Sequence, residues 1–239
     1  MSSVVNVDSL ADKRSAHGER TEAVYLTLRD LIIRGRLPPG AKAVELKLAE
    51  QLGVSRTPIR ESLARLEREG FLVPSTRGRR TELQVAALSA NDVAELWDVI
   101  GALEALAISG VAQLGEGQRS RLTDALQTAN EELRAATSAR PRDRDLVFEL
   151  QTKFHICFMD VCAGPRLRML YDAVRPHVQR YEWAYGMRSD APYEQSLADH
   201  EEIIAAVSRG DSALAHRLIT AHWHDAVRRT SKLVEPQSS

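Results

Sequence analysis

Val44-Glu45-Leu46-Lys47-Leu48-Ala49-Glu50-Gln51-Leu52-Gly53-Val54-Ser55-Arg56-Thr57-Pro58-Ile59-Arg60-Glu61-Ser62-Leu63 decides the reading of this chain. Leu48 and Leu52 lie at helical spacing within a short helix over Glu45 to Leu52. Gly53 tolerates the positive φ of a sharp turn. Thr57 reads as the N-cap of the next helix, with Pro58 at its first position, where a missing N–H costs nothing. Ile59, Leu63 and Leu66 form the apolar stripe of that helix, leaving Arg56, Arg60 and Arg65 on its polar side. Two short helices across a tight turn, the second opening with arginines, make a helix-turn-helix, a device that lays its second helix in the DNA major groove.

The flanks extend the same reading. Val24, Leu28, Leu31 and Ile32 predict a helix over Arg20 to Arg34, stopped by Gly35 and the Leu37-Pro38-Pro39-Gly40 turn. Gly70 ends the second helix of the motif. Phe71-Leu72-Val73 then predicts a strand, Arg77-Gly78-Arg79-Arg80 a hairpin tip and Thr81-Glu82-Leu83 the returning strand. The sum is a winged helix over residues 20–84. Arg56 and Arg60, four apart, share one face at the helix start and can reach guanine edges or phosphates. Ser55 and Thr57 can donate to phosphates, helped by the positive end of the helix dipole. Arg77, with flexible Gly78, can enter the adjacent minor groove or rest on the backbone. An isolated arginine pair is usually a solvated surface; here helix, turn, cap, stripe and basic wing stand in order.

The charge of the chain divides in the same place. The 239 residues carry a formal charge of −1. Residues 1–83 hold 15 Lys+Arg against 11 Asp+Glu, and residues 84–239 hold 17 against 22. A basic first part and an acidic remainder suit a DNA-binding module joined to something that does not touch DNA. Cys157 and Cys162 lie five apart in one predicted helix, so they do not face each other, and their spacing is no metal motif. No signal peptide or apolar run of about 18 residues is present, so the expected compartment is the cytoplasm, with no membrane partner. Residues 1–19 and 232–239 read as tails.

From Ser89 onward the pattern is purely helical. Asn91 is expected to cap a helix through Leu96, Val99, Leu103 and Leu106 to about Ala112. Further helices are expected over Gln118 to Ala136, Leu146 to Val161, Arg166 to Tyr185, Tyr193 to Val207 and Asp211 to Leu233. The fold class is therefore mostly α: an N-terminal winged helix-turn-helix, a linker at 85–90, and an all-α bundle of six or seven helices over 91–231.

Tyr25 to Leu83 resembles the winged-helix domain of GntR-family transcription regulators. The resemblance rests on Leu37-Pro38-Pro39-Gly40, on Leu48 through Leu63, and on Leu66-Glu67-Arg68-Glu69-Gly70-Phe71-Leu72. It implies that Arg56 and Arg60 contact operator bases and phosphates and that Arg77-Gly78 contacts the minor groove; Ser75-Thr76 and Arg80 depart from the usual wing. Ser89 to Arg229 resembles the FadR-type effector domain, the FCD domain, through Phe154-His155, Ala163-Gly164-Pro165-Arg166-Leu167, Asp199-His200-Glu201-Glu202-Ile203 and Ala221-His222. Many FCD domains hold a divalent metal on three histidines and an Asp or Asn one turn before the first. The matching positions are His155, His200, His222 and Gln151.

Gln151 and His155 are an i,i+4 pair, and three imidazoles suit one Zn²⁺ or Ni²⁺ per chain. A neutral amide at Gln151 removes a negative charge from such a site, and histidines that merely hydrogen-bond in a polar cavity are the alternative. By the same resemblance Ile100 stands where many FCD domains carry an effector-clamping arginine, so Arg175, Arg180 and Tyr181 become the candidate effector contacts. Trp97, Trp183 and Trp223 read as core or cavity wall. The expectation is a homodimeric, metabolite-controlled DNA-binding regulator, of which repression is the family's commoner mode. A regulator in which the metal itself is the signal is the alternative. An enzyme finds no convincingly placed general base here.

Overall fold

In the computed structural model the backbone is described for residues 7–75, 82–186 and 193–231, and side chains for those within 18–228. The chain divides into two compact units, Met1–Ala87 and Leu88–Ser239. No described helix is long and apolar enough to cross a membrane.

The first unit contains α1 (Val7–Ile33), α2 (Glu45–Leu52), α3 (Arg56–Arg68), β1 (Leu72–Pro74) and β2 (Leu83–Val85). Tyr25, Leu28 and Ile32 of α1, Leu48 of α2, and Ile59, Leu63 and Leu66 of α3 bury together with Phe71, Leu72 and Val85. The strands pair antiparallel, Leu72 opposite Val85 and Pro74 opposite Leu83. Behind the Pro38-Pro39-Gly40 turn the chain reaches the free side of β2, where Val85 N–H donates to Ala41 C=O at 2.9 Å and Ala43 N–H to Leu83 C=O at 2.9 Å. The expected hairpin tip, with Arg77, Gly78, Arg79 and Arg80, lies outside the described residues, as do residues 1–6 and 232–239 of the expected tails.

Three local expectations shift. α1 begins at Val7, not Arg20, so residues 7–19 of the expected tail are helical. The N-cap of α3 is Ser55, extended at φ −69 and ψ 164, not Thr57. Pro58 thus sits at the third helical position, where its missing N–H still falls among the four that a helix start leaves unbonded. At the far end of α2, Gly53 takes φ 64, as the turn requires. Arg65 does not stand clear on the polar face of α3. Its guanidinium lies 3.5 Å from the Tyr25 ring centre and pairs with Glu22 at 2.6 Å and Glu69 at 2.9 Å. It ties α3 to α1.

The second unit holds α4 (Ala90–Ile108), a 3-10 turn (Ser109–Gln113), α5 (Glu116–Ser138), α6 (Arg144–Cys162), α7 (Pro165–Gly186), α8 (Glu194–Ser208) and α9 (Ser212–Ser231). α4 packs on α9 and α7, and α5 on α6 and α8. Ser89, not Asn91, caps α4: its hydroxyl accepts from Asp92 N–H at 3.2 Å. The buried face of α4 also differs from the expected stripe. Val93, Trp97, Ile100, Glu104 and Ile108 are buried, whereas Val99 and Leu106 are 40% and 61% exposed. A helix apolar on nearly every side offers several stripes of similar hydrophobicity, and α4 turns the one carrying Trp97 and Glu104 inward. Gly101 lets α9 approach closely, since a Cβ there would meet the Trp223 Cβ at 3.1 Å. Cys157 and Cys162 are free thiols, and burial pushes that of Cys162 up to about 11.

Arg65→Ala is expected to lower the stability of the first unit by about 1 kcal/mol, the worth of one cation–π contact and a partly exposed ion pair. Urea unfolding followed by circular dichroism checks this, and an unchanged midpoint would remove the clamp role.

Candidate functional site

Two places concentrate chemistry, one in each unit. The first is the start of α3. Ser55, Arg56, Thr57 and Arg60 are all exposed there. Glu45, the first residue of α2, faces them: its carboxylate accepts from Arg56 Nη2 at 3.0 Å and from Arg60 Nε and Nη2, each at 3.1 Å. Hydrogen bonding by Arg60 leads the causes that hold the Glu45 carboxyl below its ordinary value, against a smaller opposing effect of burial. The two arginines therefore share one carboxylate, at a helix N-terminus that itself favours anions. Of the sequence-expected DNA-contacting residues, Ser55, Arg56, Thr57 and Arg60 share this surface. Arg65 is committed to α1, and Arg77 and Gly78 lie outside the described residues.

The second place is the heart of the helical unit. His155 of α6, His200 of α8 and His222 of α9 are buried, and each offers one ligand nitrogen within 4.8 Å of the others. Ring centres are 5.7 Å apart for His155 and His200, 5.4 Å for His155 and His222, and 5.1 Å for His200 and His222. Each ring is oriented through Nδ1. His155 Nδ1 meets Glu104 Oε2 at 2.8 Å, His200 Nδ1 meets Asn130 Oδ1 at 3.0 Å, and His222 Nδ1 meets Asp199 Oδ2 at 3.0 Å. All three partners are acceptors, so Nδ1 carries the proton and Nε2 is left as the basic nitrogen of each ring. This arrangement, imidazoles aimed by acceptors behind them, is how proteins prepare histidines for a metal. His200 is further fixed by stacking on Phe154 at 3.6 Å.

The residues present fit a metal on two further counts. His155 Nε2 is buried with no hydrogen-bond partner among the described residues, and so is Gln151 Oε1, the amide oxygen one helical turn before it. Gln151 Nε2 meets Ser196 Oγ at 3.5 Å, which leaves that oxygen as the donor Gln151 can present. An amide oxygen is a weaker ligand than a carboxylate but remains a ligand. Buried Glu104 supplies negative charge behind His155. Burial opposes its ionisation, yet His155, Arg175 and the Trp223 N–H outweigh that and hold its carboxyl below the ordinary value.

A cavity opens beside His222 and Gln151. The expected effector contacts Arg175, Arg180 and Tyr181 do not line it. Arg175 is buried behind its wall, bonded to Glu182 at 2.9 Å and to the Thr152 hydroxyl at 3.4 Å. Arg180 is also buried. The Tyr181 hydroxyl is spent on the start of α4: it accepts from Ser89 N–H at 3.1 Å and donates to Asp92 Oδ2 at 2.6 Å. α7 instead presents Glu182, Trp183, Tyr185 and Gly186 to the cavity; each helical residue is turned about 100° from the last, so neighbours in sequence need not share a face. The basic lining comes from Arg142 and Arg144 at the start of α6, which sequence reading passed over. Glu104 also went unnoticed, although a lone acid within the apolar run of α4 was its signal.

Comparison with known proteins matches the same division. Residues 20–82 match the model of the gntR family of bacterial regulatory proteins, and residues 95–225 match the FCD domain. The HTH-type transcriptional regulator YdhC of Bacillus subtilis is 29% identical over 202 residues, covering 84% of this chain and 87% of its own length. A transcriptional regulator of Streptomyces ambofaciens is 30% identical over 205 residues, 83% of this chain and 80% of its own. The gluconate operon transcriptional repressor of Bacillus licheniformis is 25% identical over 215 residues, 88% of this chain and 84% of its own. Among solved structures, a GntR transcriptional regulator from Rhodococcus sp. RHA1 aligns with a TM-score of 0.67 at 25% identity, covering 89% of this chain and 97% of that one. With its winged helix-turn-helix and its FCD domain, the chain belongs to the GntR family of bacterial transcription regulators.

Proposed function

We propose that this regulator is a cytoplasmic repressor whose operator affinity is set by a small organic acid bound in the cavity of the helical unit, beside one Zn²⁺ or Ni²⁺ ion. The convergence of His155, His200 and His222, each aimed by an acceptor, supports this reading. Those three residues would hold the ion, with Gln151 Oε1 as a further donor. A bound ion would supply positive charge and Lewis acidity that draw a carboxylate into the cavity.

At the other end of the chain, Arg56 and Arg60 read the operator, with Ser55 and Thr57 on phosphates. Glu45 holds both guanidiniums while no DNA is bound. Exposed ion pairs of this kind are worth about 0.2–1 kcal/mol, so operator groups can displace it. The exposed apolar side chains Val99 and Leu106 on α4 support a homodimer through the helical unit, reading two half-sites of a two-fold operator. Effector and operator affinities are then linked: whatever factor the acid takes from DNA binding, DNA takes from acid binding. A second reading, in which the metal alone is the signal, is supported by a histidine cluster whose three rings are all buried.

Arg60→Ala is expected to cost about 1–3 kcal/mol in operator binding measured by fluorescence anisotropy. Unchanged affinity would sink its role. Glu45→Gln removes an acid from the DNA-facing surface and is expected to strengthen binding to random duplex several-fold, with discrimination between operator and random duplex reduced; weaker binding to both would contradict the account of Glu45.

Elemental analysis after dialysis against Zn²⁺ is expected to find close to one ion per chain, and far less in His200→Ala of equal helix content. Equal occupancy in the two would remove His200 from the site. Anisotropy with metal and acid supplied separately divides the readings. A DNA response that needs both supports the metabolite regulator, and a full response to Zn²⁺ alone supports the metal sensor.

A further inference from the structure

The cavity beside His222 is walled by aromatic residues to an unusual degree for this chain. The sequence has 12 aromatic side chains, 3 Trp, 5 Tyr and 4 Phe. Trp97, Phe148, Trp183, Tyr185, Tyr193 and Trp223 all line this one space, including every tryptophan the protein has. They come from α4, α6, α7, α9 and the residue before α8, so no local sequence bias explains their meeting. Phe148 and Trp183 meet edge to face at 5.3 Å, as do Trp97 and Trp223 at 5.9 Å. Edge-to-face pairs fix ring planes and present flat faces to a third ring.

The polar part of the lining is equally selective. Arg142 and Arg144 supply positive charge at the start of α6, where the helix dipole adds to it. The Arg142 guanidinium lies 5.4 Å from the Tyr193 ring centre, and burial holds the Tyr193 phenol neutral, pushed up to about 12. Opposite in charge, Glu182 also lines the cavity, and its Oε2 is buried without a hydrogen-bond partner among the described residues. The cavity volume is about 70 Å³, room for a few waters.

We infer that the ligand of this cavity is a small planar aromatic acid, its ring held between the tryptophan and phenylalanine faces and its carboxylate on Arg142 and Arg144. A hydroxyl or amino group on the ring would donate to Glu182 Oε2. This inference rests on the effector reading of the same cavity and narrows it to one chemical class.

The test is isothermal titration of the full-length, Zn²⁺-loaded protein with benzoate, cyclohexanecarboxylate, benzyl alcohol, citrate and gluconate, with tryptophan fluorescence as a second signal. Benzoate is expected to bind about tenfold tighter than cyclohexanecarboxylate, the factor that one or two ring–ring contacts supply, and tighter again than benzyl alcohol. In Trp183→Leu the advantage over cyclohexanecarboxylate is expected to vanish. In Arg142→Gln/Arg144→Gln the advantage over benzyl alcohol is expected to vanish. If the double variant does not fold, Arg144→Gln alone, at an exposed position, carries that arm. Equal binding of benzoate and cyclohexanecarboxylate overturns the inference, and so does tighter binding of citrate or gluconate, either of which leaves the effector reading standing. Binding of none of the five by the loaded protein overturns both.

Discussion

A carboxylate with no solvent exposure sits at the middle of the helical unit, and the arrangement around it follows from keeping it there. An isolated buried charge would be neutralised or expelled. Glu104 keeps its charge because His155 and the Trp223 indole N–H both donate to one oxygen, at 2.8 and 2.7 Å, and Arg175 stands near. Those donors come from α6 and α9, so the acid on α4 fixes how three helices meet. It also sets which nitrogen of His155 carries the proton, and thus that the other faces His200 and His222. Asn130 of α5 and Asp199 of α8 do the same for the remaining two rings. The cluster is positioned by side chains from every helix of the bundle, with Arg175 of α7 acting through Glu104.

In the winged-helix unit the governing problem is the opposite one, of holding positive charge ready on a surface. Arg56 and Arg60 rest on Glu45, while Arg65, one turn further along, is folded onto Tyr25. Three arginines of one short helix thus have two different fates. The first two keep exposed, exchangeable partners; the third is part of the packing.

How far the sequence could be read depends on how local each cause is. The helix-turn-helix was legible because Gly53 and the Leu48, Ile59, Leu63 and Leu66 spacing act within a few residues. The cap was misplaced by two positions because proline is accepted anywhere in a first helical turn, so Pro58 does not mark one starting point. The early start of α1 was missed because Ala11, Lys13, Arg14, Ala16 and Glu19 favour helix by propensity without an apolar stripe, and periodicity sees only the stripe. The three histidines were named from a resemblance, and the structure brings them together. Their acceptors were not legible, since Glu104 lies 51 residues from His155 and Asn130 lies 70 from His200. Arg142 and Arg144, likewise, become cavity residues only through the packing of α6 against its neighbours.

Tyr181 has a neighbour in each direction of interest. Its hydroxyl grips Ser89 and Asp92, where α4 begins and the chain has just left the first unit. The next two residues, Glu182 and Trp183, form cavity wall. One turn of α7 therefore supplies both cavity wall and the anchor for the start of α4. In mechanical terms that turn of α7 is a bracket, fastened to the first turn of α4 on one side and facing the cavity on the other.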